Sequence, residues 1–268
     1  MTFETNINSR RNPLAQRARA VRDGREKEFV FVEGVRLCEE ALRASLEFEL
    51  VLYARSLADD ERGASLLASL RGVCRNTHPV SADVLESVSD TKTPQGVVAL
   101  ARRPRTGLER IEEAPGVPLV VLLHRANNPS NAGAVLRVAE AAGATGVVFT
   151  KGSTDPLSPK SLRGSMGSAF RLALWTGPTL EEALAWCSLR GIGSVATAAG
   201  APRLHTEIDW KRPRAVLLGP EAAGLSADEL RAASEAVCIP MREPVESLNL
   251  ATALAVILYE AARQRDFR

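Results

Sequence analysis

The residues Leu119-Val-Val-Leu-Leu123 form an unbroken apolar run bounded by Pro118 and His124. Five residues are too few for a core helix, and a strand with one wet face would alternate apolar with polar side chains. Such a run predicts a strand buried on both faces, the condition met in a parallel sheet with helices packed on each side. The chain then repeats the theme. A helix is predicted over Ala132 to Ala142, with Val135, Val138, Ala139 and Ala142 on one face, followed by a strand over Gly146 to Phe149. Helix Leu180 to Arg190 precedes strand Ile192 to Thr197, and strand Ala215 to Leu218 precedes helix Ala227 to Ser234 and strand Ala236 to Ile239. A last helix runs from about Leu248 to Gln264. Repeated strand–helix units predict an α/β fold with a mainly parallel, doubly wound sheet.

The first hundred residues also alternate helices and strands, in a smaller α/β region. Pro13 to Arg22 is predicted helical, Glu28 to Val32 a strand, and Gly34 opens a helix with Val35, Cys38, Ala41 and Leu42 at helical spacing. Strands are expected at Phe48 to Tyr53 and Gly96 to Ala101, with helices over Glu61 to Leu70 and after the N-cap Ser81. From Arg102 to Pro118 the chain turns charged and rich in Pro and Gly, with no periodic pattern. The expected division is therefore a first domain at 1–104, a linker at 105–117 and a second domain at 118–268.

Charge and cysteine usage exclude several classes. The formal net charge is +2, so the sum does not announce a nucleic-acid binder, but its distribution is uneven. Between Arg10 and Glu28 lie seven cations, Arg10, Arg11, Arg17, Arg19, Arg22, Arg25 and Lys27, against three acids. Arg forks phosphate bidentately, so this stretch is an RNA-binding candidate, with a solvated helix face as the alternative. Cys38, Cys74, Cys187 and Cys238 are scattered without a C-x-x-C pair, which predicts reduced thiols and no zinc site. His78, His124 and His205 lie far apart, and each reads first as an ordinary polar or core residue, with a catalytic role as the lesser alternative. No apolar run approaches the roughly 20 residues of a membrane span, and the N-terminus has no secretory signal, so a cytoplasmic location is expected. No phosphate loop, nucleophile elbow or zinc helix is present, and Gly191-Ile-Gly193 precedes a strand instead of following one.

Three segments remain. The first is NPSNAGAVLRVAEAAG, with Asn131 and Arg137. The second is LLGPEAAGLS, with Gly219, Glu221, Gly224 and Ser226; the third is IPMREPVESLNLA, with Ile239, Pro240, Ser247, Leu248 and Asn249. The second and third sit at the mouth of a predicted strand, where open α/β sheets build ligand sites, and the first supplies an Asn and an Arg with a helix between strands. Taken singly they have plain structural explanations: Asn131, Ser247 and Asn249 as helix caps, Arg137 and Glu221 as surface residues, and Gly224 as a turn former. In this order and spacing they resemble the motifs of the SpoU/TrmH family of RNA 2′-O-methyltransferases, in the SPOUT superfamily. SPKSLRGSMGSAF resembles the same family, while EGVRLCEEAL and TPQGVVAL are similar to the ribosomal-protein-like substrate-binding domain that precedes many members. Two departures stand out: Arg242-Glu243-Pro244 occupies a loop where members often carry Gly, and Pro220 stands where small polar residues are common.

The resemblance implies a C-terminal SPOUT domain with a trefoil-knotted, mainly parallel sheet, an exception to the rule against knots. It implies S-adenosylmethionine held by Gly219, Ile239 and Leu248, with Thr197 to Gly200 as a further wall. It also implies a catalytic set of Arg137, Asn131, Glu221, Ser247 and Asn249, acting on a ribose 2′-hydroxyl of structured RNA, with rRNA ahead of tRNA and no metal. A non-catalytic RNA-binding assembly factor and a small-molecule α/β enzyme are the rivals from other classes. The last helix is apolar nearly all round, with Leu250, Leu254, Ile257 and Leu258 on one side and Val256 and Tyr259 on the other. That pattern predicts a homodimer through the C-terminal domain.

Overall fold

The computed structural model describes residues 6–266, in two compact units. The first comprises residues up to Pro104 together with Leu157–Phe170; the second comprises Arg105–Pro156 and the chain from Arg171. Its helices within the first hundred residues are α1 (Pro13–Arg22), α2 (Val35–Arg43), α3 (Glu61–Val73) and α4 (Ala82–Val88). Its strands are β1 (Phe29–Glu33), β2 (Phe48–Ala54), β3 (Thr77–Val80) and β4 (Val97–Arg102). The sheet order is β1-β4-β2-β3, with β4 antiparallel to both neighbours and β2 parallel to β3. Phe31, Leu50, Leu52 and Leu100 from the strands pack with Ala18, Val84 and Val88 from the helices to form its core. Strand β3 escaped the sequence reading because Thr77-His-Pro-Val80 carries a proline, which is tolerated at a sheet edge.

The second unit begins with α5 (Leu108–Glu112) and β5 (Leu119–Leu123), then α6 (Pro129–Ala141) and β6 (Gly146–Phe149). Next come α7 (Pro159–Ser165) and α8 (Ser168–Arg171), which fall almost wholly in the segment grouped with the first unit. Arg163 on α7 pairs with Asp90 at 2.6 Å there. Gly167 has φ +93°, and a Cβ on it would stand 2.6 Å from Glu40 Cβ, so only glycine fits that approach to α2. The chain continues with β7 (Ala173–Thr176), α9 (Leu180–Leu189), β8 (Gly193–Thr197), β9 (Arg203–Leu204), β10 (Arg214–Leu218), α10 (Ala227–Ala232), β11 (Glu235–Cys238) and α11 (Leu250–Gln264).

These seven strands form one sheet in the order β7-β6-β5-β10-β8-β11-β9, and every pairing is parallel. All five residues of β5 are buried, as the apolar run requires. The chain steps outward from β5 to β6 and β7, then crosses to lay down β8 with one position left open. Strand β10 later fills that position, between β5 and β8. The reversal brings the carboxyl ends of β8, β10 and β11 side by side, the place where a parallel sheet leaves a crevice.

The stretch expected to be a structureless linker is packed instead. Ile111 of α5 is buried, Gly107 N–H donates to Leu174 O at 2.8 Å, and Glu112 accepts from Trp186 Nε1 at 3.1 Å and Arg190 Nε at 2.9 Å. A helix this short has room for one apolar i, i+3 pair, Leu108 and Ile111, too little to register as periodicity.

Candidate functional site

A cavity of about 650 Å³ opens at the carboxyl ends of β8, β10 and β11. Its walls come from four stretches: Thr197 to Ala199 at the end of β8, Leu218 to Leu225 at the end of β10 and beyond, Val237 to Met241 around the end of β11, and Glu246 to Leu250 leading into α11. Asn131, in the first turn of α6, completes it. Glu221 and Glu246 are acidic, and no Lys or Arg is among the described lining residues. A pocket with two carboxylates and no cation disfavours phosphate-bearing ligands and suits a ligand with positive charge.

Local chemistry explains how each stretch is held. A Cβ on Gly219 would lie 2.7 Å from Leu225 N and 2.8 Å from Gly224 C, so the loop after β10 folds back against bare backbone. Gly224, at φ +66°, turns that loop and donates its N–H to Pro220 O at 2.8 Å. Thr197 donates its hydroxyl to Leu217 O at 3.2 Å, tying the β8 wall to β10. Asn249 caps α11 by accepting from Ala251 N–H at 3.0 Å, and its Nδ2 donates to Asn131 Oδ1 at 3.2 Å. One side chain therefore serves both the capping and the site reading.

The expected site residues fall into three groups. Asn131, Thr197, Gly219, Glu221, Ile239, Ser247, Leu248 and Asn249 all line the cavity. Asn131 is not the cap of α6: Asn128 accepts from Ser130 N–H at 3.0 Å, and Pro129 opens the helix. Ser247 likewise caps nothing. Gly200 is exposed and off the wall, since Ala198 and Ala199 fill that role. Arg137 is exposed on α6, outside the lining, and its guanidinium has no partner among the described residues. Of the departures from the family pattern, Glu243 and Pro244 do not reach the lining, whereas Pro220 does. Glu246 and Met241 were missed by sequence reasoning; the signal for Glu246 was a second acid adjoining Ser247.

The arginines near the N-terminus divide by role. Arg17 pairs with Glu49 at 2.7 Å and Glu26 at 3.3 Å and stacks over Phe29 at 4.7 Å. Arg22 Nη1 donates to the carbonyls of Ser87, Val88 and Ser89 at the end of α4, and Arg19 donates to Ser87 Oγ and Arg10 O. These three hold the first unit together. Arg25 pairs with Asp23 at 2.9 Å, Arg10 lies 4.0 Å from Glu86, and Arg11 is exposed with its guanidinium unpartnered among the described residues. All four cysteines are free; burial pushes the Cys187 thiol up to about 12 and Cys38 higher still. No cluster of metal-ligating residues occurs among the described residues, and no helix there is long and apolar enough to cross a membrane.

Residues 118–259 match the SpoU rRNA Methylase family, and residues 14–99 match the MRM3-like substrate binding domain. The chain is 34% identical to an uncharacterized tRNA/rRNA methyltransferase of Synechocystis sp., covering 97% of this chain and 94% of that one. It is 32% identical to the 23S rRNA (uridine(2479)-2′-O)-methyltransferase of Streptomyces viridochromogenes, over 95% of this chain and 91% of that one. Among solved structures it resembles the SpoU methyltransferase AviRb from S. viridochromogenes in complex with the cofactor AdoMet. The TM-score there is 0.84 at 31% identity, over 96% of this chain and 99% of that one.

Proposed function

The chain belongs to the SpoU rRNA methylase family, and we propose that it methylates a ribose 2′-hydroxyl of ribosomal RNA. It is an S-adenosylmethionine-dependent RNA methyltransferase. The observation that carries the proposal is the convergence of distant stretches on one cavity of suitable size and charge. About 650 Å³ lies inside the range of small-ligand sites. Glu221 and Glu246 complement a sulfonium and an ammonium group, and the cradle at Gly219 has no space for a side chain. When bound, S-adenosylmethionine supplies an activated methyl group, so the protein's task is alignment and control of charge.

Gly219, Ile239, Leu248 and Thr197 hold the cofactor, largely by backbone groups. Asn131 and Asn249, already joined by a hydrogen bond, orient the ribose. Glu221 holds the loop after β10 and not Arg137, whose guanidinium it does not meet, and Ser247 positions the substrate. Arg137 anchors an RNA phosphate and stabilises the oxyanion developing at the 2′-oxygen; a guanidinium stays protonated, so it is not assigned the role of base. Its unpartnered state leaves it available for that task. In the first unit, Arg10, Arg11 and Arg25 face RNA phosphate, supported by Arg17, Arg19 and Arg22.

We further propose a cytoplasmic homodimer joined through α11, on which Val256 and Tyr259 are exposed among buried and half-buried apolar residues. A light-scattering mass equal to one chain would count against the dimer. The activity is tested by transfer of labelled methyl to rRNA and tRNA pools, followed by digestion to nucleosides. A 2′-O-methylnucleoside from rRNA supports the proposal, and label in tRNA alone moves the substrate. Absence of transfer from a protein that binds the cofactor favours an assembly factor.

A further inference from the structure

His124 follows the last residue of β5, and its ring is only 4% exposed. Its backbone N–H donates to Leu218 O at 2.9 Å, fixing the residue just before Gly219. Its Nε2 lies 3.0 Å from Glu229 Oε1, on α10. An ionised carboxylate only accepts, so Nε2 carries the proton in this contact. The other oxygen, Glu229 Oε2, accepts from Ser226 N–H at 2.8 Å, and Ser226 Oγ accepts from Glu229 N–H at 3.3 Å. The Ser226 N–H, foremost, holds the Glu229 carboxyl below its usual range against the opposing effect of burial, with the Ser226 hydroxyl and His124 adding to it. On the far side of the ring, Nδ1 lies 3.0 Å from Thr150 Oγ1, and that oxygen accepts from Arg125 N–H at 3.2 Å.

Residues 219–225 all line the cavity and are mostly exposed. Both ends of this loop are thus gripped by one buried residue: the start at Leu218 through the His124 backbone, and the end at Ser226 through Glu229. We propose that His124 and Glu229 are positioning residues that clamp the S-adenosylmethionine loop in its binding shape. The inference rests on the reading of the cavity as the S-adenosylmethionine site. Neither residue touches the cavity, so both act through the backbone of the loop.

The test compares the wild-type protein with Glu229→Ala, Glu229→Gln and His124→Ala. It combines calorimetric titration of S-adenosylmethionine, steady-state kinetics, and hydrogen exchange of residues 219–226 without cofactor. Glu229→Ala should raise the cofactor Kd about tenfold, as loss of a charge-assisted hydrogen bond implies, and speed loop exchange by a similar factor. The kinetic loss should fall on KM for the cofactor more than on kcat. Glu229→Gln should recover most of the affinity, because its carbonyl accepts from Ser226 N–H while its amide donates to the other imidazole tautomer. His124→Ala combined with Glu229→Ala should cost little more than either alone, since both cut one connection. Glu229 is partly exposed, so its variants report even where His124→Ala fails to fold. Unchanged Kd and unchanged loop exchange in Glu229→Ala overturn the clamp. Faster loop exchange in a protein whose wild type does not bind S-adenosylmethionine would uphold the clamp and discard the cofactor reading.

Discussion

Adding one methyl group at Gly219 tests how the cofactor wall is built. The new Cβ of Gly219→Ala would stand 2.7 Å from Leu225 N, 2.8 Å from Gly224 C and 2.8 Å from Leu225 Cγ. Non-bonded atoms settle at about 3.5 Å or more, so the loop must retreat by roughly 0.7 Å. Two of those neighbours are backbone atoms and cannot rotate away. Gly219 is not among the positive-φ glycines, so space alone is at issue and no conformational strain enters. Overpacking of this kind costs about 1–3 kcal/mol. The strain falls on the exposed loop, because β10 is hydrogen-bonded by β5 on one side and β8 on the other. Misplacing the wall should therefore raise the S-adenosylmethionine Kd about 10- to 100-fold, equivalent to about 1.4–2.8 kcal/mol. The thermal midpoint should fall by only a few degrees, at about 2–4 °C per kcal/mol for a chain of this size. Calorimetric titration and a melting curve read the two effects separately. Cofactor affinity within twofold of wild type, in a folded Gly219→Ala protein, would refute the reasoning. Gly200→Ala is the matched control: nothing lies within 4 Å of its added Cβ, and its affinity should be unchanged.

Other substitutions separate roles that overlap in the structure. Arg137→Ala should abolish methyl transfer while cofactor affinity and stability stay near wild type, stability within about 0.5 kcal/mol for an exposed residue; a methylation assay with retained activity would remove Arg137 from the mechanism. Asn249→Ala should cost about 1 kcal/mol through loss of the α11 cap, read by denaturant melts, and Asn249→Ser should restore that stability. The serine variant cannot reach Asn131, so its methyl transfer should remain impaired. Arg22→Ala should destabilise the first unit by about 1–2 kcal/mol, because its bonds to three carbonyls are charge-assisted. Arg11→Ala should leave stability alone and weaken RNA binding in a filter assay. Glu260 is held at about 2, chiefly by Arg263. A depressed carboxyl stabilises the fold above its unfolded value of about 4.3 and loses that contribution as pH falls towards 2. Melts across this window should show a shallower acid decline for Glu260→Gln.

Much was legible because local chemistry and periodicity agreed. The all-apolar β5 announced a strand covered on both faces, and every pairing in its sheet proved parallel. The helices α1 and α9 match their predicted spans almost residue for residue, each opened by a side-chain cap, Asn12 and Thr179. The three motifs were legible as strings with fixed spacing, and of the ten expected site residues, drawn from these motifs and from the Thr197 to Gly200 stretch, eight line one cavity. Arg137 and Gly200 stand apart: helical direction sends the first to solvent, and the turn after β8 carries the second past the wall.

What only the tertiary structure decided are the matters of who meets whom. Asn131 and Asn249 are 118 residues apart, yet they share a hydrogen bond. No local pattern encodes that, because it follows from the order in which strands enter the sheet. The same holds for the arginine-rich stretch, where packing against α4 and Phe29 turned three cations into structural ties and left others facing solvent. The sequence by itself determined the strands, the helices and the chemical vocabulary of the site, since these depend on near neighbours and on apolar periodicity. The tertiary structure decided the cavity, its excess of carboxylates and the grip of His124 on its loop, since each joins residues whose proximity exists only once β10 has entered between β5 and β8.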